Sequence, residues 1–432
     1  MASAILARNS ADTRPLVLLA APYFLPRCYG GVVQVYSQLA TRAAHFRFVL
    51  VSDRRECDIE TLDHYDRQCP RLNGFEICRI GQYEFQVRKE ESTVERAAHC
   101  FRFFRDNRRE WNHLIRQLQP QLVICGGTYS GGWLARTIPR EIPLVNYIHG
   151  EELTLAPGPP LIRTYFRQCQ IAAIKKAAVN IAVSRYTADL TQRLTGIADD
   201  RLFLLPNFID PDRFRPLPER NRIRIRLGWD ATTVILSIAR LERRKGFDQA
   251  LRALAALHRD RKISKDWLYV IGGKGPEGPA LQALAADLGI LPHIKFLGFV
   301  ASEELPELFG AADVFLQPNR DIKGDTEGFG IVFLEANACG TPVIGGISGG
   351  TADAIEEGVS GFRVDANNIK EIADKLELLI NNSFMRFDLG RKGRSRVLAN
   401  FTVEKAVTRF EDLLSKLINP KTLKRSGPSR PC

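Results

Sequence analysis

Val234-Ile-Leu-Ser-Ile-Ala239 is an apolar, β-branched run that passes through Arg240-Leu-Glu-Arg-Arg-Lys245-Gly into Phe247–His258, where apolar residues return every three to four positions. A strand-length run followed by a helical period is one half of a parallel β-α-β unit. The unit recurs. Further strands are expected at Leu268–Ile271, Ile294–Gly298, Val314–Gln317, Pro342–Ile344 and Gly361–Val364. An earlier series comprises Leu16–Ala21, Phe46–Ser52, Phe75–Ile80, Leu122–Cys125, Leu144–His149, Val179–Val183 and Leu202–Leu205. Two doubly wound, Rossmann-like α/β domains facing each other across a cleft account for the pattern, with ligands at the carboxyl ends of the strands.

The expected boundaries are 1–210 for the first domain, 211–230 for a Pro- and Arg-rich linker and 231–400 for the second domain. Residues 401–420 form a C-terminal helix able to pack back on the first domain, and 421–432 a disordered polar tail. Between the helical stretch 368–380 and the final helix at Val403–Leu417 the chain reads as a basic turn.

With 432 residues, 45% of them apolar and 25% charged, the composition is that of an ordinary globular protein. A net charge of +12 permits an anionic partner without choosing between nucleic acid, a membrane surface and phosphorylated small molecules. Its distribution says more: residues 1–230 hold 33 basic and 24 acidic residues, whereas 231–400 hold 21 and 22. The second domain is therefore neutral overall and its cations matter by position. No nucleic-acid recognition motif accompanies the basic excess. Nine scattered cysteines without a C-x-x-C pair point to a reducing compartment, hence a cytoplasmic protein. Leu16–Leu25 is too short to span a bilayer, contains Pro22 and lacks a signal peptide's basic flank, so it reads as a buried strand. Any membrane contact is then peripheral, on the cytoplasmic face.

The strongest chemical signal is Glu327-Gly-Phe-Gly330-Ile-Val-Phe-Leu-Glu335. Gly328 and Gly330 bracket a loop-to-helix junction where a ligand can approach the backbone, and the N–H groups near Gly330 and Ile331 offer an anion site. Phe329 lies between them. Glu335, further into the helix, suits two adjacent hydroxyls such as a ribose supplies, and Glu327 sits beside whatever is joined to the anion. Each glutamate alone reads as well as a solvated surface residue; the pair with both glycines does not. In the β-α unit quoted first, Arg240 and Lys245 can hold a diphosphate between them, while Arg243 and Arg244 leave open a plain basic surface loop.

Other features gain weight only from context. Gly30-Gly31 and Gly272-Gly273 each follow a strand and by themselves mean a turn. His149 ends a strand where the cleft is expected; a histidine satisfied within its own fold is the plainer reading. Asn207 is a turn residue, and Ser184 caps the helix that begins at Arg185.

In order, these pieces resemble the retaining nucleotide-sugar glycosyltransferases of the two-Rossmann-domain type (family 4), a family that includes bacterial phosphatidylinositol mannosyltransferases. The Glu-x7-Glu motif with Phe-Gly inside it matches Glu327 to Glu335. Arg240 and Lys245 match an Arg and Lys five apart, Gly30-Gly31 a Gly-rich first loop, His149 a cleft histidine, and Pro206-Asn-Phe-Ile-Asp210 a characteristic turn. Ala239 and Lys274 depart tolerably from the usual Gly and Asp. Gly349-Gly350-Thr-Ala-Asp353 stands where the family has Gly-Gly-x-Pro-Glu, so no proline fixes that loop.

The resemblance implies a nucleoside diphosphate sugar as donor, GDP-mannose or a UDP-hexose, and no cofactor or metal. Glu335 would take the ribose; Arg240, Lys245 and the helix start at Gly330 and Ile331 would take the diphosphate. Glu327 and His149 would meet the transferred sugar, and the base would lie near Phe299 and Val300. The acceptor, a glycan, a lipid-linked molecule or a small-molecule hydroxyl, would be bound by the first domain. Two basic segments there, 96–118 and 161–177, could lie on an anionic membrane or pack their apolar stripes on the sheet. For 96–118 that stripe is Ala97, Phe101, Phe104, Trp111, Ile115 and Leu118. A sugar-nucleotide epimerase of the same architecture and a non-catalytic binding protein are the competing readings. The intact Arg240, Lys245 and Glu327 favour the transferase.

Overall fold

A computed structural model describes residues 12–21, 24, 30–53, 59–80, 93–127, 134–155, 160–229, 233–264 and 266–419. The tail expected at 421–432 lies outside them. The chain divides into two units, one formed by Met1–Leu205 with Glu404–Cys432, the other by Pro206–Val403.

The first unit is built on seven parallel strands: β1 (Leu16–Ala20), β2 (Arg47–Asp53), β3 (Glu76–Ile80), β4 (Leu122–Gly126), β5 (Leu144–Ile148), β6 (Val179–Ala182) and β7 (Leu202–Leu204). Their order is β3-β2-β1-β4-β5-β6-β7. The register sets Leu18 between Val49 and Val123. Covered on both faces by helices, β1 is buried at every position, which is why it reads as an uninterrupted apolar run rather than an alternating one. Its core gathers Leu18, Val49, Val123, Trp111, Leu114 and Phe166.

The second unit has six parallel strands, β8 (Thr233–Ile238), β9 (Trp267–Gly272), β10 (Ile294–Gly298), β11 (Val314–Gln317), β12 (Val343–Gly346) and β13 (Gly361–Val364), ordered β10-β9-β8-β11-β12-β13. Leu236 pairs with Val270 on one side and Phe315 on the other. Helices Phe247–Arg259 and Ile369–Asn381 pack on this sheet around Leu254, Tyr269, Leu316 and Leu376. All thirteen expected strands form, with ends displaced by no more than two residues. The Ser184 side chain accepts the Thr187 amide at 3.0 Å and caps its helix as expected.

Three expectations need correction. Residues 211–230 are part of the second unit, not a free linker: helix Arg220–Leu227 places Arg220 and Arg224 on Asp313, at 2.7 and 3.0 Å. Asp313 also accepts the Val234 amide at 2.8 Å, so the arginines neutralise a carboxylate that fastens β8. The stretch read as a basic turn is an eighteen-residue helix, Ser383–Asn400, capped by the Asn382 side chain on the Met385 amide. Third, helix Thr93–Leu118 packs through Phe103, Asn107, Trp111, Leu114, Ile115 and Leu118, which leaves Phe101 69% exposed beside Arg102, Arg105, Arg108 and Arg109. The side chains of Ala97 and Phe104 lie outside those described. No helix among the described residues is long and apolar enough to cross a membrane.

Candidate active site

In each sheet the strand order reverses at one pair of neighbours, β1/β4 in the first unit and β8/β11 in the second. Doubly wound sheets bind ligands at the carboxyl ends of such pairs. In the second unit β8 delivers Arg240 to Lys245, and β11 delivers Pro318 through Glu327.

The two loops meet at Glu327. Lys245 Nζ donates to Glu327 Oε2 at 2.6 Å, Asn319 Nδ2 donates to the same oxygen at 2.8 Å, and Arg244 Nη1 lies 3.5 Å from it. Oε1 has no partner among the described residues. Burial alone would push this carboxyl upward, but the charges of Lys245 and Arg244 and their hydrogen bonds together outweigh it and hold the group below the usual glutamate range. The result is an ionised carboxylate gripped at one oxygen and open at the other. Arg244, 8% exposed, also reaches Asp325 at 3.0 Å and Glu242 at 3.5 Å. Sequence reasoning treated Arg244 as part of a basic surface and passed over Asn319. A polar residue directly beyond a buried strand end was the available signal for Asn319.

Arg240 is mostly exposed and pairs with Glu242 at 2.9 Å. Lys245 has two further N–H donors once Glu327 is served. Gly330 (φ +87) is the left-handed cap of helix Ile331–Ala338, whose first amides lack intrahelical acceptors. Phe329 is not exposed to ligand through its ring: it is 1% exposed and lies edge-on to Phe401. Glu335 is 3% exposed and its carboxyl has no hydrogen-bond partner among the described residues; burial pushes that carboxyl to about 7 against the opposing charge of Arg213. Phe299, at the end of β10, is 63% exposed and Val300 partly buried.

Gly272 and Gly273 sit where two loops of the second unit meet. A Cβ on Gly273 (φ +132) would stand 1.9 Å from Ala239 O, so the glycine is what lets this loop lie flat on the β8 loop. The backbone pairs Ala239 N–H with Gly272 O and Leu241 N–H with Lys274 O at 3.1 and 3.0 Å. The loop without the family's proline is fixed by other means. Gly350 N–H donates to Glu327 O at 2.7 Å, the Thr351 hydroxyl donates to Gly346 O at 2.6 Å, and the Thr326 and Ser348 hydroxyls are 2.7 Å apart.

In the first unit Gly30 is the extended cap of helix Gly31–Arg42, and His149 directly follows β5. His149 Nε2 lies 2.7 Å from Tyr36 Oη, and its backbone N–H donates to Glu152 Oε1 at 2.7 Å. Burial holds the imidazole well below its ordinary pKa, so it is neutral at pH 7. Among the described residues no group of three or more His, Cys, Asp or Glu is arranged to hold a metal ion.

Solved structures share this architecture along most of the chain. A sucrose-phosphate synthase from Thermosynechococcus elongatus superposes with a TM-score of 0.75 at 20% identity, covering 94% of this chain and 100% of that one. Anabaena HepE, crystallised with UDP and glucose, gives 0.69 at 19% identity over 93% and 100%. The fold is therefore that of the two-Rossmann-domain (GT-B) glycosyltransferases. Residues 29–213 match the family model Glycosyltransferase Family 4, and 219–396 match Glycosyl transferases group 1. A GDP-mannose-dependent alpha-(1-6)-phosphatidylinositol monomannoside mannosyltransferase of Mycolicibacterium smegmatis is 36% identical over 275 residues, 63% of this chain and 70% of that protein. A D-inositol 3-phosphate glycosyltransferase of Corynebacterium jeikeium is 35% identical over 299 residues, 66% and 69%. The chain belongs to this family of retaining glycosyltransferases.

Proposed function

We propose that the chain transfers mannose from GDP-mannose to the hydroxyl of an inositol-phosphate-containing acceptor presented on an anionic membrane. The observation that carries the donor side is the Glu327 carboxylate, gripped at Oε2 by Lys245 and Asn319 with Oε1 unengaged, on the loop that opens helix Ile331–Ala338. Oε1 accepts from hydroxyls of the transferred sugar; in the first unit His149 is the candidate donor to a sugar hydroxyl. Glu335 accepts from the ribose, Phe299 and Val300 border the base, and Arg240, Lys245 and the amides at Gly330 and Ile331 hold the diphosphate.

As the glycosidic bond breaks, negative charge grows on the leaving phosphate. Cations and N–H groups that meet it there stabilise that state more than the ground state. The acceptor hydroxyl gives its proton to the departing phosphate on the same face, which retains configuration and needs no protein nucleophile. The names of the two relatives support mannose and inositol chemistry. Exposed Phe101 among Arg102, Arg105 and Arg109 supports the membrane surface: an apolar anchor flanked by cations suits anionic headgroups.

A donor screen tests this. Nucleoside diphosphate release from GDP-, UDP- and ADP-sugars is measured with phosphatidylinositol and its mannosides in vesicles. Release from GDP-mannose that depends on acceptor is expected; release only from UDP-sugars, or without regard to acceptor, refutes the assignment.

A further inference from the structure

Tyr36 lies on helix Gly31–Arg42, among Val33, Val35, Leu39 and Ala40 on its buried face. At 1% exposure it looks like one more core residue. A phenol so deeply buried needs a polar partner, and its Oη is 2.7 Å from His149 Nε2. The space for the ring is reserved by Gly126, the last residue of β4: a Cβ there would stand 2.7 Å from Tyr36 Cε2 and Cζ and 2.8 Å from Oη.

The imidazole is held on its other sides as well. Tyr147 stacks on it with centroids 5.0 Å apart and planes 14° from parallel, while Tyr36 meets His149 edge-on at 5.4 Å. The Glu152 carboxylate receives the His149 backbone amide. His149 Nδ1 has no partner among the described residues, so one ring nitrogen is engaged and the other is left over.

We propose that Tyr36 is a positioning residue for His149: its hydroxyl donates to Nε2, fixes the tautomer protonated at Nδ1, and leaves Nδ1–H as the donor to a sugar hydroxyl oxygen. The inference rests on the reading that His149 serves the transferred sugar. It also ties two separate site elements together, because Tyr36 lies in the second turn of the helix that Gly30 and Gly31 open.

The test uses Tyr36→Phe, which keeps the ring and removes one oxygen, in the full chain labelled with ¹⁵N-histidine. His149 resonances are identified by their loss in His149→Gln. In the wild type Nδ1 carries the proton; in Tyr36→Phe the two nitrogen shifts move toward each other as the tautomers mix. With GDP-mannose, kcat falls about tenfold, the worth of one hydrogen bond, while the donor KM stays within about twofold. A wild-type spectrum with the proton on Nε2 overturns the proposal, and needs no variant to fold. So does a Tyr36→Phe enzyme with unchanged kcat, or one that loses kcat while the imidazole signals stay put. His149→Gln separates the two levels: full transfer by that variant removes His149 from the reaction, whereas lost transfer beside a fully active Tyr36→Phe refutes only the role of Tyr36.

Discussion

Replacing Lys245 by methionine tests whether the ammonium is what keeps Glu327 charged. The two side chains are 11% and 15% exposed and their charged atoms are 2.6 Å apart. Methionine preserves most of the length and removes the charge. The carboxylate then either stays ionised, at the roughly 3–5 kcal/mol that breaking a buried pair costs, or takes up a proton. Protonating a group of ordinary value 4.5 at pH 7 costs about 1.36 kcal/mol per unit, so the penalty cannot exceed about 3.4 kcal/mol. At pH 5 the same ceiling is about 0.7 kcal/mol.

The sign follows from linkage. The folded carboxyl lies below its unfolded value, so its stabilisation is present above about 4.5 and lost as pH falls through the folded value. The deficit of Lys245→Met is thus largest at neutral pH and shrinks in acid. Adding Glu327→Gln removes the charge, which Arg244 and Asn319 alone then face, and recovers most of the loss at pH 7. Urea unfolding of a variant with Trp111 and Trp133 replaced by Phe, followed by tryptophan fluorescence, reads this in the second unit, where Trp229 and Trp267 are buried. An equal deficit at pH 5 and pH 7, or no rescue by Glu327→Gln, refutes the reasoning.

Three further outcomes are expected. GDP affinity measured by calorimetry should strengthen from about pH 6 to pH 8, by up to about tenfold per unit below 7, because a ribose needs Glu335 ionised and burial holds it near 7. Glu335→Gln should bind weakly with a flat profile, and an equally flat wild type would count against the ribose assignment. Gly349→Ala places a Cβ 2.0 Å from Glu327 O at φ +70, which should cost about 2 kcal/mol and cut transfer; an unchanged Tm and rate would mean the loop yields freely. Wild-type protein should float with anionic vesicles at low salt and a Phe101→Ser, Arg102→Ser, Arg105→Ser variant should not; a wild type that stays with the soluble fraction removes the membrane surface.

The strands were legible because parallel strands covered on both faces must be continuously apolar. Helix Ser383–Asn400 was not, because its buried face is made partly of glycine. Gly390 and Gly393 touch the loop and helix beneath them so closely that Cβ atoms would fall 2.0 Å from Gly340 O and 2.8 Å from Asn337 Nδ2. Glycine there signals contact, though in sequence it signals a break. Arg386, Arg394 and Arg396 send guanidinium groups to backbone carbonyls of Leu379, Ala338 and Ala354, so charge that reads as surface is partly inward. The Glu-x7-Glu and Arg-x4-Lys motifs were each visible, but their meeting at Glu327 was not. It depends on β8 and β11 being neighbours, which no local spacing encodes. Tyr36 was hidden for the opposite reason, since a tyrosine on an apolar stripe looks like core until its hydroxyl is followed.

The helix Val403–Ile418 returns to the first unit after the whole second unit has intervened. Phe410 stacks on Phe48 at 6.2 Å, Arg409 donates to Leu204 O, and Glu411 accepts from His45. On a ribosome, residues 206–403 emerge between the seventh strand and the helix that completes its unit. At about 5–20 residues per second that is an interval of roughly ten to forty seconds. Throughout it Phe48 lacks its cover, and the first part of the chain to be made is the last to be finished.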